Sequence, residues 1–369
     1  MAKTKKTYVG WKELGYRRKQ TEYSAPTRLL DDKGNLTAQG WARRNVFDYR
    51  RADARPQSRG KEWDFYQLSD GKYMVQIVVA NISIGGYASL VFADVSGEEE
   101  KLINSTVLWL GGKNKVILPE NGDRPNRFEF SKKGYSVLFD TGERKRTIAF
   151  RGNADGKPVN ASFEMDLMED HQNITIVTPF RKRGKAMPKR FFLTMKQNCM
   201  PCEGTFSCGD FSYTFSKENT FCVLDWGRGV WPYRNVWYWG NGAQRIRDEA
   251  GNEHIFGFEI TWGIGNEDHA TETCLFLDGV AHKIGSVDVE TFPKPDKYMQ
   301  PWHFLSEDGR FDLTMTPQFD HHTDMNFVIL RMHSHQVHGR WNGTVVLDDG
   351  TKLEIRNMYA FCEYVENRW

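Results

Sequence analysis

The residues with the clearest potential for chemistry lie in one stretch near the middle of the chain, residues 225–240, which reads DWGRGVWPYRNVWYWG. We call this stretch the aromatic segment. It holds four of the twelve tryptophans, with an aspartate and two arginines among them. Aromatic rings beside a fixed carboxylate and guanidinium can form a concave wall with a few convergent polar groups, the usual composition of a small-molecule site. Tryptophans also fill cores and close barrel ends, so an architectural role stays open.

Three charged residues are our candidates for catalysis: Asp225, Arg228 and Glu272. The planar guanidinium of Arg228 can hold a carboxylate or an enolate-like oxygen through two hydrogen bonds. Burial among aromatic rings raises the pKa of a carboxyl group, so Asp225 or Glu272 would suit a general acid. Protonation of an alkene or a carbonyl favours hydration or cyclisation, since aromatic faces stabilise developing cations. The alternative is a buried acid–arginine pair that holds two strands together.

The expected wall of the pocket consists of aromatic residues of the segment and the asparagine that follows it. These ligand-binding candidates are Trp226, Trp231, Tyr233, Trp237, Trp239 and Asn241. Hydride and phosphoryl transfer are disfavoured, because the sequence has no dinucleotide fingerprint and no P-loop. Paired carboxylates beside tryptophan platforms would also suit a glycosidase, which therefore stays open.

Cysteines form a short cluster at Cys199, Cys202 and Cys208. The C-x-x-C spacing suggests zinc or redox chemistry, but a structural zinc site needs a second pair of ligands that the neighbourhood lacks. We therefore predict ordinary buried or partly exposed thiols.

Histidines form a second cluster, in which His333 and His335 share one face of a predicted strand and His338 points to the other. Together with His321 or His322, the first two could bind a metal. A polar face on a barrel strand is the interpretation we favour, so we predict no metal and no cofactor.

Composition restricts the partners of this 369-residue chain. The net charge is only +2, which argues against a general nucleic-acid binder. No apolar run approaches the length of a membrane span, and the basic N-terminus lacks the apolar core of a secretory signal. We expect a cytoplasmic protein whose partner is a small molecule, whereas its oligomeric state is left open.

The hydrophobic pattern is that of short β-strands. Runs such as residues 72–81, 87–93, 136–140, 173–177, 190–196, 254–265 and 326–341 are rich in β-branched and aromatic residues,. Asp-Gly pairs at 70–71, 278–279, 308–309 and 349–350 separate such runs, which is a strong signal for hairpins. No long amphipathic helix is apparent, although short helices are expected near residues 37–44 and 267–273. The pattern predicts an all-β sandwich or barrel.

Two segments resemble each other: WDFYQLSDGKYMVQIVV from Trp63 and WHFLSEDGRFDLTMT from Trp302. Either a duplicated β unit or two ordinary hairpins would explain the similarity. Charge and turn residues at 181–204 suggest the boundary between two halves. The predicted organisation is a basic, mobile tail at 1–25, an N-terminal barrel-like half at 26–200 and a C-terminal half at 201–369.

Successive blocks of the chain resemble the domain-of-unknown-function 2804 family. They are LLDDKGNLTAQGWARRNVFDYRR, KEWDFYQLSDGKY, PKRFFLTMKQNCMPCEG, the aromatic segment, TCLFLDGVAHKIG and QVHGRWNGTVVLDDG. The family is similar to the double-calycin proteins, which include carotenoid hydratases, tocopherol cyclase and cofactor-free cyclases of polyketide products. The resemblance implies two packed lipocalin-like antiparallel β-barrels, or strongly curved sheets, and a lipophilic ligand. The family blocks that correspond to the cysteine and histidine clusters carry mostly other residue types.

These observations lead to one expected function and two alternatives. We expect a protein that binds a lipophilic or amphipathic small molecule in an aromatic pocket and acts on it, without a cofactor, as a hydratase, cyclase, isomerase or lyase. The first alternative is a carbohydrate-active enzyme with tryptophan platforms and paired carboxylates. The second is a non-catalytic binding or scaffold protein.

Overall fold

The computed structural model describes residues 18–111, 116–182, 185–248, 250–289, 297–327 and 330–368. These residues are almost entirely extended, and their only helical turn is a short 3₁₀ helix at Gln57–Arg59. No helix among them is long and apolar enough to cross a membrane. The all-β prediction is therefore confirmed. Its physical reason is that alternating apolar residues and Gly-containing turns leave little sequence for helices.

The strands are numbered in chain order. They are β1 (Thr27–Arg28), β2 (Gly40–Ala42), β3 (Phe47–Asp48), β4 (Gly60–Ser69), β5 (Tyr73–Asn81), β6 (Gly85–Asp94), β7 (Leu102–Leu110), β8 (Asn126–Lys132), β9 (Tyr135–Thr141), β10 (Lys145–Ala154), β11 (Lys157–Asp166), β12 (Ile174–Lys182), β13 (Lys185–Cys208), β14 (Phe211–Phe215), β15 (Phe221–Val230), β16 (Arg234–Arg247), β17 (Glu253–Trp262), β18 (Cys274–Leu277), β19 (Val280–Lys283), β20 (Val287–Val289), β21 (Trp302–Ser306), β22 (Phe311–Phe327), β23 (Leu330–Val346) and β24 (Lys352–Arg368).

The first sheet has the order β7-β6-β5-β4-β15-β13-β11-β10-β9-β8, with β2, β12 and β14 attached to it. It curls until β7 approaches β10, where the Ser105 hydroxyl donates to the carbonyl oxygen of Asn153 at 2.9 Å. This nearly closed barrel surrounds an apolar core that includes Phe92, Phe139 and Trp226.

The second sheet has the order β19-β18-β17-β16-β24-β23-β22-β21-β20 and forms a half-barrel. Its concave side holds a separate core with Trp262, Trp302 and Trp341. A third apolar cluster combines residues of both sheets, among them Phe192 of β13 and Phe276 of β18. The predicted fold of two antiparallel barrel-like sheets packed together is thus confirmed.

Hairpins form at all four Asp-Gly pairs, between β4 and β5, β18 and β19, β21 and β22, and β23 and β24. At the second of these, Asp278 and Gly279 have φ angles of +48° and +81°. Two positive φ angles at the centre of a two-residue turn match the twist of the flanking strands, and Asp-Gly tolerates them well. The resembling segments from Trp63 and Trp302 are the β4–β5 and β21–β22 hairpins, which leaves both explanations of their similarity open.

Several local predictions need correction. Residues 37–44 contain the strand β2, and residues 267–273 form no helix. Residues 326–341 are not one strand, because β22 ends at Phe327 and β23 begins at Leu330. Strand pairing across the sheets overrides the weak helical signals, as tertiary context commonly does.

The predicted tail at 1–25 also extends too far into the folded part. Residues 1–17 lie outside the described residues, but Arg18 is buried and its guanidinium lies 3.1 Å from the Glu267 carboxylate. The backbone N–H of Thr21 donates to the carbonyl oxygen of His269. Residues 18–21 are therefore packed against the loop that follows β17.

The change from one sheet to the other falls between Val230 and Arg234, not near residue 200. The charged residues around 181–190 form a β12–β13 hairpin, and Cys199 lies at a bulge inside the continuous strand β13, with φ of +60°. Charge and turn residues there mark irregularities within one sheet. Division of the chain into independently folding halves at 200 stays a prediction.

Candidate functional site

The aromatic segment crosses from the first sheet to the second. Asp225, Trp226 and Arg228 lie on β15, whereas Trp237 and Trp239 lie on β16. Since these strands belong to different sheets, the aromatic segment lies where the chain passes from one sheet to the other.

Strand alternation places Asp225 and Arg228 on opposite faces of β15. Trp226 and Val230 belong to the core of the first barrel, and the guanidinium of Arg228 lies 4.3 Å from the centre of the Trp226 ring. Asp225 points the other way, toward Lys196. The two residues therefore neither pair with each other nor face one common site.

Arg228 is fully buried and surrounded by protein acceptors. Its Nη2 donates to Asp64 Oδ1 and to the carbonyl oxygen of Pro119, both at 2.7 Å. Its Nη1 donates to the carbonyl oxygens of Trp63 and Gly227 at 2.7 and 2.8 Å. This geometry favours the structural alternative, and a catalytic role for Arg228 stays a prediction.

A buried lysine that sequence reasoning did not select lies at the centre of the polar residues between the sheets. Lys196 Nζ lies 2.5 Å from Asp225 Oδ1 and 3.8 Å from Glu272 Oε1. The ammonium group also lies 4.4 Å from the centre of the Trp239 ring. Two of the three predicted catalytic residues thus meet around one cation.

Glu272 is almost fully buried, and its Oε2 accepts a hydrogen bond of 2.5 Å from the Thr261 hydroxyl. Its Oε1 has no hydrogen-bond partner among the described residues. Burial raises the pKa of Glu272 above its ordinary value. The raised pKa favours the protonated form that a general acid needs, and the proton would be released on the side of Oε1,.

A second buried carboxyl, that of Glu259 on β17, connects this group to Trp239. Glu259 Oε1 accepts from Asn198 Nδ2 and its Oε2 accepts from Trp239 Nε1, both at 2.8 Å. Burial raises the pKa of Glu259 well above its ordinary value. We call Lys196, Asp225, Glu259 and Glu272 the acid–lysine cluster.

Burial and charge act in opposite directions on Lys196. Burial alone lowers the pKa of this lysine, but the attraction of Asp225, Glu272 and Glu259 outweighs it and raises the pKa above its ordinary value. Lys196 is thus charged at neutral pH. Its single positive charge can balance only one of the three carboxyl groups around it if all of them are ionised. A site of this kind can hold or move a proton.

The neighbouring strand β24 contributes a further buried carboxyl, Glu363. Its Oε1 accepts from Trp237 Nε1 at 2.9 Å, and its Oε2 accepts from Gln336 Nε2 at 2.8 Å. Gln76 Nε2 donates in turn to the side-chain oxygens of Gln336 and Gln67. These contacts continue the polar layer across the interface from β24 to β5 and β4.

The remaining aromatic candidates differ in their surroundings. Trp231 is buried against Trp63, Phe180 and Phe192. Tyr233 is 43% exposed and lies beneath the guanidinium of Arg59. In this structure Trp231 fills an apolar cluster, whereas Trp237 and Trp239 orient carboxylates. A ligand-binding role for each of them stays a prediction.

A narrow cleft lies between the sheets and includes Asn241 in its wall. Asn241 is buried, and its Nδ2 has no hydrogen-bond partner among the described residues. Asn198 also lines the cleft and donates to Glu259, so it connects the cleft to the acid–lysine cluster. The other lining residues are Gln67, Ser69, Phe221, Cys222, Val223, Gly242, Ala243 and Tyr359.

A second narrow cleft lies in the first barrel. Glu62 Oε1 accepts there from Arg51 Nε at 2.7 Å and from the Tyr49 hydroxyl at 3.2 Å. None of the site residues predicted from the sequence lines it.

Sequence reasoning missed Lys196, Glu259 and Glu363, although each carries a recognisable signal. Each is the single charged residue of a largely apolar stretch, as in FFLTMKQ, IFGFEITW and YAFCEYV. Charged residues are almost never fully buried unless they are paired, so such a residue predicts a partner elsewhere in the fold. The identity of the partner depends on strands far apart in the sequence.

The cysteines show no arrangement for zinc. All six are buried and free of disulfide bonds. Cys199 belongs to the cluster between the sheets and Cys202 to the core of the first barrel. Burial raises the pKa values of both thiols well above their ordinary value, which agrees with ordinary buried thiols.

The histidines have the predicted orientations. His333 and His335 share a face and meet His322 of β22, whereas the Nδ1 of buried His338 lies 2.7 Å from the Tyr359 hydroxyl. Among the described residues, His322, His333 and His335 form a group that could hold a metal ion.

Two solved structures align with most of this chain. CghA, in its crystal structure with Sch210972, aligns with a TM-score of 0.51 and 11% identity, over 83% of this chain and 88% of that one. Kievitone hydratase from Nectria haematococca aligns with a TM-score of 0.44 and 9% identity, over 93% and 98% of the two chains. At this identity the alignment with CghA shows a shared fold alone.

Comparison with curated proteins gives no match. The family model described as domain of unknown function (DUF2804) matches residues 20–369. That match covers nearly the whole chain, including both sheets and the residues between them. The protein therefore belongs to the DUF2804 family.

Proposed function

We propose that the protein binds a lipophilic or amphipathic small molecule between its two sheets and transfers a proton to it without a cofactor, as a hydratase, cyclase, isomerase or lyase. The acid–lysine cluster is the observation that carries this proposal. A charged lysine among three carboxyl groups is costly to bury, and Glu259 of this cluster accepts a hydrogen bond from Asn198 in the wall of the cleft. Such arrangements occur where pKa values are adjusted for proton transfer.

Glu272 is the proposed general acid. Its pKa is raised by burial, and its Oε1 has no hydrogen-bond partner among the described residues. In a hydration, Glu272 would donate its proton to an alkene carbon or a carbonyl oxygen, water would add to the resulting cation, and the added water would return a proton to the Glu272 carboxylate. Lys196 would then stabilise the Glu272 carboxylate, and the nearby ring of Trp239 would stabilise positive charge.

The fold supports a small-molecule ligand by analogy. CghA, which shares the fold, was crystallised with Sch210972. Apolar and amide groups line the cleft of this chain, for example Phe221, Val223 and Asn241. This mixture suits an amphipathic molecule that presents one or two polar atoms.

A carbohydrate-active enzyme is less well supported. Sugar platforms need an exposed aromatic face, whereas Trp226, Trp231 and Trp239 are all buried. The indole N–H groups of Trp237 and Trp239 donate to glutamates.

Mass spectrometry of molecules that stay bound during native purification tests the ligand class. We expect a lipophilic compound from the wild-type protein and none from Ala243→Phe, which fills the cleft. Val280→Phe, at an exposed position of β19, is the matched control and should retain the compound. Recovery of glycans, or equal retention by all three proteins, would contradict the proposal.

Conversion of the recovered compound tests the catalytic step. Glu272→Gln keeps the size of the side chain but cannot donate an acidic proton, so binding should persist while turnover falls at least about 100-fold. Asp225→Asn should reduce turnover less, because Asp225 positions Lys196 at 2.5 Å. Full activity of Glu272→Gln would remove Glu272 as the acid. Binding with no turnover by the wild type would leave a non-catalytic binding protein.

A further inference from the structure

Three histidines from two neighbouring strands meet at one point of the second sheet, away from the acid–lysine cluster. His322 lies on β22 directly opposite His335 of β23, and Asp324 lies opposite His333. His333 and His335 are two residues apart, so they project from the same face of β23. One ligand atom of each of the three imidazoles lies within 4.8 Å of the others.

The three imidazole rings lie in mutual contact. The rings of His322 and His335 are stacked with their centres 4.2 Å apart, and the His333 ring is nearly perpendicular to both. Tetrahedral zinc with Zn–N bonds of about 2.0–2.1 Å needs ligand nitrogens about 3.3 Å apart. Metal binding would require the His322 and His333 rings to rotate until their nitrogens point at one ion, which is sterically possible because His322 is exposed and His333 only partly buried.

A carboxylate already orients one of the three rings. His335 Nδ1 lies 2.7 Å from Asp320 Oδ2, and the Tyr298 ring stacks on His335 at 3.7 Å. A carboxylate that accepts one imidazole N–H fixes the tautomer and leaves the other nitrogen as an electron-pair donor. Histidine ligands in metal sites usually have such a partner.

His333 also has a ring nitrogen with no hydrogen-bond partner among the described residues. His333 Nδ1 is buried without a hydrogen bond among the described residues, and the nearest carboxylate, Asp324 Oδ2, lies 3.8 Å away. A buried unpaired nitrogen requires an explanation, and a bound cation supplies one.

We infer that His322, His333 and His335 form a binding site for a zinc-type divalent transition metal, with Asp320 as the carboxylate that positions His335. Three imidazoles are a ligand set typical of zinc and are also used by copper and nickel. The exposed side of His322 leaves room for water as a fourth ligand. This site is independent of the proposed proton transfer, and it departs from the prediction of no metal made from the sequence.

Zinc binding by the untagged, full-length protein tests this inference. After removal of metals with a chelator, we expect one Zn²⁺ per chain by equilibrium dialysis and elemental analysis. Co²⁺ should bind competitively with the strong visible absorption of a four-coordinate site. Single changes His322→Gln, His333→Gln and His335→Gln should each weaken Zn²⁺ binding more than tenfold, and His333→Gln/His335→Gln should abolish it.

Two further variants separate ligation from folding. Asp320→Asn should weaken Zn²⁺ binding about 10–100-fold while the three ligands remain. His303→Gln removes a histidine that also faces a carboxylate, Asp312 at 2.8 Å, and should leave binding unchanged. All variants are compared by circular dichroism without metal. Failure of the wild type to bind one Zn²⁺, or unchanged binding by the folded double variant, would overturn the inference.

Discussion

Arg228 and Lys196 are both buried cations, but their surroundings assign them different roles. The N–H groups of Arg228 donate to Asp64 and to backbone carbonyl groups. These hydrogen bonds join β15 to β4 and to the segment at Pro119. Lys196 instead faces carboxyl groups beside a cleft. A buried cation whose hydrogen bonds are all made to protein acceptors is commonly structural. A buried cation among several carboxyl groups with shifted pKa values is more typical of a functional site.

The change Arg228→Lys should therefore act on stability. Lysine keeps the charge but cannot reproduce the planar hydrogen bonds to Asp64 and Pro119. We expect the free energy of unfolding in urea to fall by about 3 kcal/mol, with ligand binding retained below the transition. Arg151→Lys, at an exposed position of β10, is the control. Lost binding at unchanged stability would instead support the catalytic role first predicted for Arg228.

His171 should make the protein sensitive to acid. Its Nδ1 accepts from the Met168 N–H and its Nε2 lies 2.7 Å from the carbonyl oxygen of Asn198, so both nitrogens are satisfied in the neutral form. Burial lowers the pKa of His171 from 6.5 to about 4. The folded state then binds fewer protons than the unfolded state between these values, so stability is lost as the pH falls from 6.5 toward 4.

The lost stability should amount to about 3 kcal/mol, since each pKa unit corresponds to about 1.4 kcal/mol. Urea unfolding at pH 7.5, 6, 5 and 4 measures it. His171→Gln retains an acceptor and a donor but does not titrate, so its stability should depend less on pH in this range. Parallel pH profiles of the two proteins would show that other groups control the acid response.

At the scale of the strands, close approach of the two sheets depends on glycine at one contact. A Cβ atom at Gly257 of β17 would lie 2.4 Å from Cys199 Sγ and 2.9 Å from the carbonyl oxygen of Gly242. Cys199 is at the bulge of β13, so the bulge directs its sulfur at the facing sheet. The β13 bulge and Gly257 thus fit each other at the interface that holds the acid–lysine cluster.

The change Gly257→Ala should lower the free energy of unfolding by about 1–3 kcal/mol through overpacking. In the double variant Cys199→Ala/Gly257→Ala the sulfur is gone, and part of the loss should be recovered. Thermal and urea unfolding of the four proteins of this cycle give the coupling energy, expected to be about 1 kcal/mol. Additive effects would mean that the two strands are not in contact at this point.

At the scale of the whole molecule, the two sheets share an apolar cluster as well as a polar layer. Strand β15 is buried along its whole length, because one face packs in the first barrel and the other lies against the second sheet. The shared cluster takes Phe192 and Trp231 from one side and Ile255 and Phe276 from the other. Separating the sheets would expose both groups of residues to water.

We therefore expect a single cooperative unfolding transition. Calorimetry should give equal calorimetric and van't Hoff enthalpies, and fluorescence and circular dichroism should change together. Phe276→Ala should shift the whole transition to lower temperature. Two separate transitions, or a fragment ending near residue 200 that folds alone, would support the predicted division into a half at 26–200 and a half at 201–369.

Local features of the sequence were sufficient for the strands and their turns. Alternating apolar residues and the Asp-Gly pairs predict hairpins because the information needed lies within a few residues. The same alternation places His333 and His335 on one face and separates Asp225 from Arg228. A single charged residue in an apolar strand, such as Lys196, also shows from sequence alone that a buried partner must exist.

Only the tertiary structure decided which groups meet. Lys196 reaches Asp225 through the pairing of β13 with β15, and Glu272 through the contact between the two sheets. His322 joins His333 and His335 through the register of β22 and β23. A shift of one residue in such a register would send each side chain to the other face. These contacts are set by packing between distant segments, which no short stretch of sequence specifies.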